Sequence, residues 1–405
     1  MRKLFLTSFF ALLAVAYLFS IEKIEALDIS VARESKSTDL PIYKEVIEWE
    51  KKQHKTEDEP DATGIRVALL LDTSNSMDGL INQAKSQLWQ IVNELSLAKY
   101  GGKNPHLKIA LYEYGNDGLE KSDGYIRKVL DFNDDLDLIS EKLFSLSTNG
   151  GSEYCGEVIQ TSLNELKWGA DKSDLNLIFI AGNEPFTQGN VSYKSATSNA
   201  VEKKVVVNTI FCGDYQEGIS GKWRDGALLT GGDYSSIDHN HVDVYIVTPY
   251  DQQIIILNQQ LNDTYIYYGK QGYKKMEMQA TQDQNASSMN EGVAINRAVS
   301  KSKAVYNNSN WDLVDASRSR NFDYSKVDKE SLPGELMGKS GAELKIIVDQ
   351  YAAKRIEIQK QIEKLNTQRN KYISDNQNNT NSNNLEKAML QSIRKQAEQK
   401  HYKFE

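Results

Sequence analysis

A basic excess is missing from this 405-residue chain. It has 48 Lys and Arg against 56 Asp and Glu, for a net charge of -8. That balance argues against a nucleic-acid partner, which needs a positive face. No Gly-rich phosphate loop ending in Gly-Lys-Ser/Thr occurs, which counts against an ATPase. No Gly-x-Ser-x-Gly elbow occurs either, so a serine hydrolase is unsupported. Long apolar runs are scarce. One lies near the start, Leu4 to Phe19, broken only by Thr7 and Ser8, and no second run is long enough to span a membrane. Cysteine is limited to Cys155 and Cys212. The acidic neighbours Glu153 and Glu157 disfavour a reactive thiolate at Cys155.

What is present begins with an export signal. Arg2 and Lys3 precede the apolar run, and Ala26 ends a cleavage region in which Ile24 replaces the usual small residue. Residues 1–26 thus read as a signal peptide and the mature chain as periplasmic or secreted. The alternative is an uncleaved N-terminal anchor, the one route by which the sequence would place the protein at a membrane. Residues 27–64 form a polar segment, with a short helix expected from Tyr43 to Trp49.

From Ile65 the pattern changes. Ile65 to Leu71 is almost continuously apolar, the mark of a strand covered on both faces. A helical pattern follows from Gly79 to Lys99. Further strands are expected at Leu107–Tyr114, Ile126–Phe132, Leu175–Ala181, Val205–Cys212 and Asp233–Ile237. The intervening helices are Asp135–Leu146, Cys155–Trp168, Tyr193–Lys203 and Lys222–Thr230. Alternation of this kind predicts an α/β fold, a doubly wound and mostly parallel sheet with ligands beyond the carboxyl ends of its strands. It would put both cysteines at one end of the sheet, favouring a Cys155–Cys212 disulfide over two buried thiols in an exported chain.

Residues 241–339 read as a mixed extension, with an extended piece at Val242–Val247, a helix at Asp251–Leu261 and helical segments around Glu291–Val305. Residues 340–405 read as a helical C-terminal region. There a long helix, Ser340–Ser374, spaces Leu344, Val348, Tyr351, Ile358, Ile362, Leu365 and Tyr372 by fours and threes, with Arg355 and Arg369 in the same series. The seam suits either a coiled coil or an amphipathic helix packed on its own domain. After an Asn-rich loop, a basic amphipathic helix covers Leu385–Lys400.

Asp72 ends the first buried strand, and Ser74 and Ser76 follow at alternate positions. One carboxylate and two hydroxyls are hard oxygen donors, suited to Mg²⁺, Mn²⁺ or Ca²⁺. An ion so held is under-neutralised and can accept a carboxylate from a partner. The same residues could instead cap the following helix.

In its context the segment Val67 to Met77 resembles the first strand and first metal loop of von Willebrand factor type A (VWA) domains, as found in exported bacterial proteins. Gly150-Gly151-Ser152-Glu153-Tyr154-Cys155-Gly156-Glu157 resembles the second metal loop. Ala227 to Tyr234 resembles the last helix and the Thr-Gly-Gly turn into the last strand. The resemblance covers Ile65 to Asp238 within a domain set at residues 65–240. It implies a metal-ion-dependent adhesion site, MIDAS-like, with Asp72, Ser74, Ser76 and Ser152 as ligands and Mg²⁺ (or Mn²⁺ or Ca²⁺) as the ion. The third loop departs from the pattern: Gly182 stands where an Asp is usual, leaving Glu153, Asn183 and Glu184 as further donors. His239 and His241 beside Asp238 and Asp243 offer a weaker metal alternative, for which a polar loop is the simpler reading.

Two functions follow as expectations. One is a non-enzymatic, metal-dependent module capturing a protein ligand through an acidic side chain. The other is a structural protein that self-associates through its C-terminal helices, with the VWA-like domain as scaffold.

Overall fold

The computed structural model describes residues 63–241, 245–376 and 384–404. The signal segment, most of the polar segment behind it, the Tyr43–Trp49 helix and the first half of the Val242–Val247 piece lie outside the described residues. Among those described, no helix is long and apolar enough to cross a membrane.

The first strand, β1 (Gly64–Asp72), is buried along nearly its whole length. It is followed by helix α1 (Asp78–Leu95), the two-residue strand β2 (Ala98–Lys99), β3 (His106–Tyr114) and β4 (Ile126–Asn133). Next come α2 (Leu136–Phe144), α3 (Cys155–Glu165), β5 (Leu175–Gly182), α4 (Tyr193–Glu202) and β6 (Val206–Cys212). The short helices α5 (Tyr215–Ser220) and α6 (Trp223–Leu228) lead to β7 (Tyr234–Ile237). Six strands form one sheet in the order β4-β3-β1-β5-β6-β7, in which β4 alone runs antiparallel to its neighbour. The chain winds outward from β1 in both directions, so the winding reverses between β1 and β5. The crevice beyond the carboxyl ends of these two strands is where a doubly wound sheet binds its ligands.

Strand parity assigns every side chain to a face. Val67, Leu69 and Leu71 of β1 join Ile109, Leu111, Phe179, Ala181, Ile210 and Cys212 in one core. Ala68 and Leu70 join Tyr112, Tyr114, Ile178, Ile180, Val207 and Phe211 in the other, together with Cys155 from α3. This overturns the expected disulfide. Both cysteines are buried free thiols. They share an end of the sheet, but Cys212 belongs to one face and Cys155 to a helix on the other, with the sheet between them.

The second core is closed by α3, α4 and α6. The first is closed by α1 and by a helix from the far end of the chain, α12 as numbered below. Between β7 and that helix lies an all-helical stretch: α7 (Asp251–Asn262), α8 (Gly272–Met289), α9 (Glu291–Lys301), the single turn α10 (Leu313–Ala316) and α11 (Gly341–Asn376). Then α12 (Leu385–Gln399) returns to the sheet, placing Leu385, Met389, Ile393 and Ala397 in the first core. Its entry is fixed by α1: Gln83 and Gln87 accept the N–H groups of Leu385 (3.0 Å) and Glu386 (2.7 Å), while Asn384 caps the helix through Lys387 N–H. These bonds satisfy donors that a helix start otherwise leaves open. The last strand, β8 (Lys403–Phe404), pairs with β2, and Tyr402 donates to the Ser173 carbonyl at 2.8 Å. The boundaries drawn at 240 and 340 therefore do not separate packing units: the C-terminal helix completes the sheet domain, and the described residues 245–376 form an insertion ahead of it.

The seam of α11 is spent within the chain rather than on a coiled coil. Leu344 and Val348 pack with Ile266, Leu313, Leu332 and Leu336. Ile358 and Ile362 reach the first core, and Tyr351 alone of the series is exposed. The two arginines that interrupt the seam are buried with partners. Arg355 bonds Asp312 (2.6 Å) and Asp315 (2.8 Å) and stacks 4.0 Å from the Tyr265 ring. Arg369 bonds Asp251 at 3.0 Å. Helix α8 was not expected because its buried face is polar: Gln279 donates to Tyr306, and Gln282 accepts from Ser140.

Candidate metal centre

The loop after β1 is built by its own carboxylate. Asp72 is wholly buried, and its Oδ1 accepts the Ser74 N–H at 2.7 Å. The turn so formed brings Ser74 Oγ to 3.3 Å from Ser76 Oγ, and Asn183 Nδ2 donates to Ser76 Oγ at 3.1 Å. Ser74 makes no side-chain capping bond to the helical turn that follows, so the capping alternative is not what this loop does. Asp72, Ser74, Ser76 and Asn183 thus meet at the reversal point between β1 and β5. Ser76 is exposed, Asn183 half-buried and Ser74 buried.

The second loop is clamped to the first through backbone. Asn149 N–H donates to the Thr73 carbonyl at 3.0 Å, and Asp117 N–H to the Gly150 carbonyl at 2.5 Å. A Cβ on Gly151 would stand 2.1 Å from the Gly115 carbonyl oxygen, so only glycine allows this approach. The clamp delivers Glu153, 4% exposed, into contact with Asp72. Burial first, and the Asp72 carboxyl second, push the Glu153 carboxyl up to about 9. Burial also raises Asp72, and nearby Glu184 adds to both shifts. Glu153 N–H donates to Gln188 Oε1 at 3.0 Å, and Gln188 Nε2 donates to Glu184 Oε2 at 3.1 Å, so one glutamine ties the second loop to the third. Ser152 sits half-buried beside Glu153 and is joined to the cluster by no hydrogen bond among the described residues.

Three oxygens here stand out. Asp72 Oδ2, Glu153 Oε2 and Asn183 Oδ1 are buried, and no N–H of the described residues donates to them; the two carboxyls have each other and the Ser74 hydroxyl as neighbours. Buried acceptors without a partner each cost about 1–3 kcal/mol unless a ligand completes them. Oxygen-only donors of this kind fit a hard divalent cation. Among the described residues no group of three or more His, Cys, Asp or Glu side chains is placed to hold a metal, so such a site draws on hydroxyl and amide oxygens as well as its acids. The His239–His241 alternative gains nothing: His239 packs its backbone over Gly79 at the start of α1, and its Nε2 faces Asn240 Nδ2 at 3.2 Å.

Two residues that shape the centre gave no sequence signal. Tyr114, wholly buried at the end of β3, donates to the Ala181 carbonyl at 3.0 Å. Gly115 has φ +78°, and a Cβ there would meet Glu153 Cγ at 2.7 Å and Asp72 Oδ1 at 2.9 Å. Tyr114 reads in sequence only as a strand residue and Gly115 only as a turn; each matters through what lies across the sheet.

No protein-family model and no curated relative matches the chain. Solved structures resemble part of it. The conserved hypothetical protein BatB from Bacteroides thetaiotaomicron is 17% identical over 43% of this chain and 91% of its own, with a TM-score of 0.33. An aerotolerance-related membrane protein from Bacteroides fragilis is 15% identical over 44% of this chain and 94% of its own, with a TM-score of 0.30. The SpRpn10 VWA domain is 15% identical over 43% of this chain and 88% of its own, with a TM-score of 0.32. The sheet domain is VWA-like in its strand order and in the loops that gather at the carboxyl ends of β1, β3 and β5.

Proposed function

We propose that this chain is an exported, non-enzymatic protein-interaction module that binds a divalent cation, Mg²⁺ or else Mn²⁺ or Ca²⁺, at the loops beyond β1 and β5. The observation that supports it most is the set of buried, unpartnered oxygens on Asp72, Glu153 and Asn183. Asp72 is fixed by the Ser74 N–H and keeps Oδ2 free for the ion; Ser74 and Ser76 add hydroxyls; Asn183 and, through Gln188, Glu184 border the same place. When bound, the cation would supply an electrophilic point for an oxygen of the partner, on the side where Ser76 is exposed. An acidic partner side chain, expected from the sequence, would suit an ion neutralised by Asp72 alone and suits it less where Glu153 adds a second negative charge. The scaffold alternative loses its main support, because the apolar seam of α11 and the inner face of α12 are buried within the chain.

Calorimetric titration of the full chain with Mg²⁺, Mn²⁺ and Ca²⁺ tests the reading. Saturable heat is expected with at least one ion and should vanish in Asp72→Ala. An absence of heat with all three ions would withdraw the cation, and with it the metal-dependent capture of a partner.

A further inference from the structure

We propose that Glu153 is the second anionic ligand of this centre, standing where no acid can stand at position 182, and that the ion, balanced by two carboxylates, takes a neutral oxygen from the partner. The inference rests on the cation-binding reading above and goes further in naming the ligand and the partner chemistry.

The third loop is closed to an acid by packing. Tyr114 and Gly182 lie on the same side of the sheet as Asp72. A Cβ on Gly182 would stand 2.5 Å from the Tyr114 hydroxyl oxygen and 3.0 Å from Asp72 Oδ2. Tyr114 cannot swing away, because it is wholly buried and its hydroxyl is held by the Ala181 carbonyl at 3.0 Å. The phenol fills the volume that a side chain at 182 would need.

The second loop is opened to an acid by the same means. Gly115 lies between Asp72 and Glu153, and any side chain there would collide with both at 2.7–2.9 Å. Its absence, together with the Gly151–Gly115 approach, lets Glu153 lie alongside Asp72. Each carboxyl keeps one buried oxygen, Oδ2 on Asp72 and Oε2 on Glu153, to which no N–H of the described residues donates; the two carboxyls face each other and the Ser74 hydroxyl. Two buried carboxyls side by side cannot both ionise unless a positive charge sits between them, so they share a proton when free of cations and can exchange it for a divalent ion. Two negative charges match one divalent ion. With Glu184 close enough to act on both acids, an incoming carboxylate would add an anion to an already balanced centre. An amide carbonyl or a hydroxyl of the partner would not.

The test uses Mn²⁺ alone as probe, titrated calorimetrically into the full chain, with thermal melting to confirm folding of each variant. Glu153→Gln keeps the side chain's shape and is expected to weaken Mn²⁺ at least about tenfold, as is Asp72→Asn. Glu184→Gln, half-exposed and screened, should change affinity less than about threefold. Glu153→Ala leaves room for a small anion: added acetate should recover Mn²⁺ affinity in that variant and leave the wild type unchanged. Mn²⁺ binding by Glu153→Gln within about twofold of wild type would overturn the proposal while leaving the cation reading intact. So would tighter Mn²⁺ binding to the wild type in acetate. A wild type that binds no Mn²⁺, Mg²⁺ or Ca²⁺ would remove both.

Discussion

Charges are buried in two regions of this molecule, and the regions treat them in opposite ways. In the helical insertion every buried cation meets an acid. Arg297 bonds Asp137 at 2.7 Å and Asp283 at 2.5 Å, and Lys301 bonds Asp283 at 3.0 Å. Arg355 and Arg369 are held by Asp312, Asp315 and Asp251. Burial would push the Asp283 carboxyl up, but Lys301 and Arg297 outweigh it and hold it well below the usual carboxylate range. Beyond the ends of β1 and β5 the opposite holds: Asp72 and Glu153 are pressed together, no cationic side chain of the described residues pairs with either, and both are shifted upward. A balanced network is structure, fixing how the insertion docks on α2 and how α11 packs within it. An unbalanced pair of acids at a reversal point marks a candidate ligand site.

The largest effect should come from unbalancing the insertion. Arg355→Ala leaves Asp312 and Asp315 buried without their cation and should cost about 3–5 kcal/mol, read as a lowered urea midpoint. A loss under about 1 kcal/mol would mean that the network contributes little. Next in size, Gly182→Asp forces a third carboxylate against Tyr114 and Asp72. It should destabilise the cation-free protein by about 1–3 kcal/mol through overpacking alone. A variant as stable as wild type would show that the phenol yields.

Unbalancing has the opposite sign at the Asp72–Glu153 pair. Free of cations, Glu153 binds its proton more tightly folded (about 9) than at its ordinary value of 4.5. The native state then holds more protons than the unfolded one across that window. Its contribution to stability is full below pH 4.5 and is lost as pH rises towards 9. Glu153→Gln should flatten this slope and raise the melting temperature at pH 8, by a gain on the order of 1–2 kcal/mol. Parallel melting curves from pH 5 to 9 for both proteins check it, and an unchanged slope would dismiss the pair as a coupled unit. The smallest effect belongs to Lys345→Ala, which removes an exposed pair with Asp349 on α11. It should shift stability by less than about 0.5 kcal/mol in the same denaturation assay.

The apolar runs that become β1, β3, β5 and β6 were legible because a strand covered on both faces leaves no room for polar residues. The loop residues Asp72, Ser74 and Ser76 were legible because they follow such a strand directly. Helix α8 was not, since Gln279 and Gln282 bury amides against partners far away in sequence. The disulfide expectation failed for a related reason: alternation told which residues are strand, while the face on which Cys155 would dock depended on a helix crossing.

The sequence by itself determined the doubly wound sheet, the Asp72 loop and the long amphipathic helices, because these rest on local period and composition. Only the tertiary structure decided that α12 closes the sheet, that the α11 seam faces inward, and that Tyr114 and Gly115 exchange an acid at 182 for one at 153. Those outcomes depend on which volumes are already filled when distant segments meet. Close packing settles that, and no stretch of neighbouring residues encodes it.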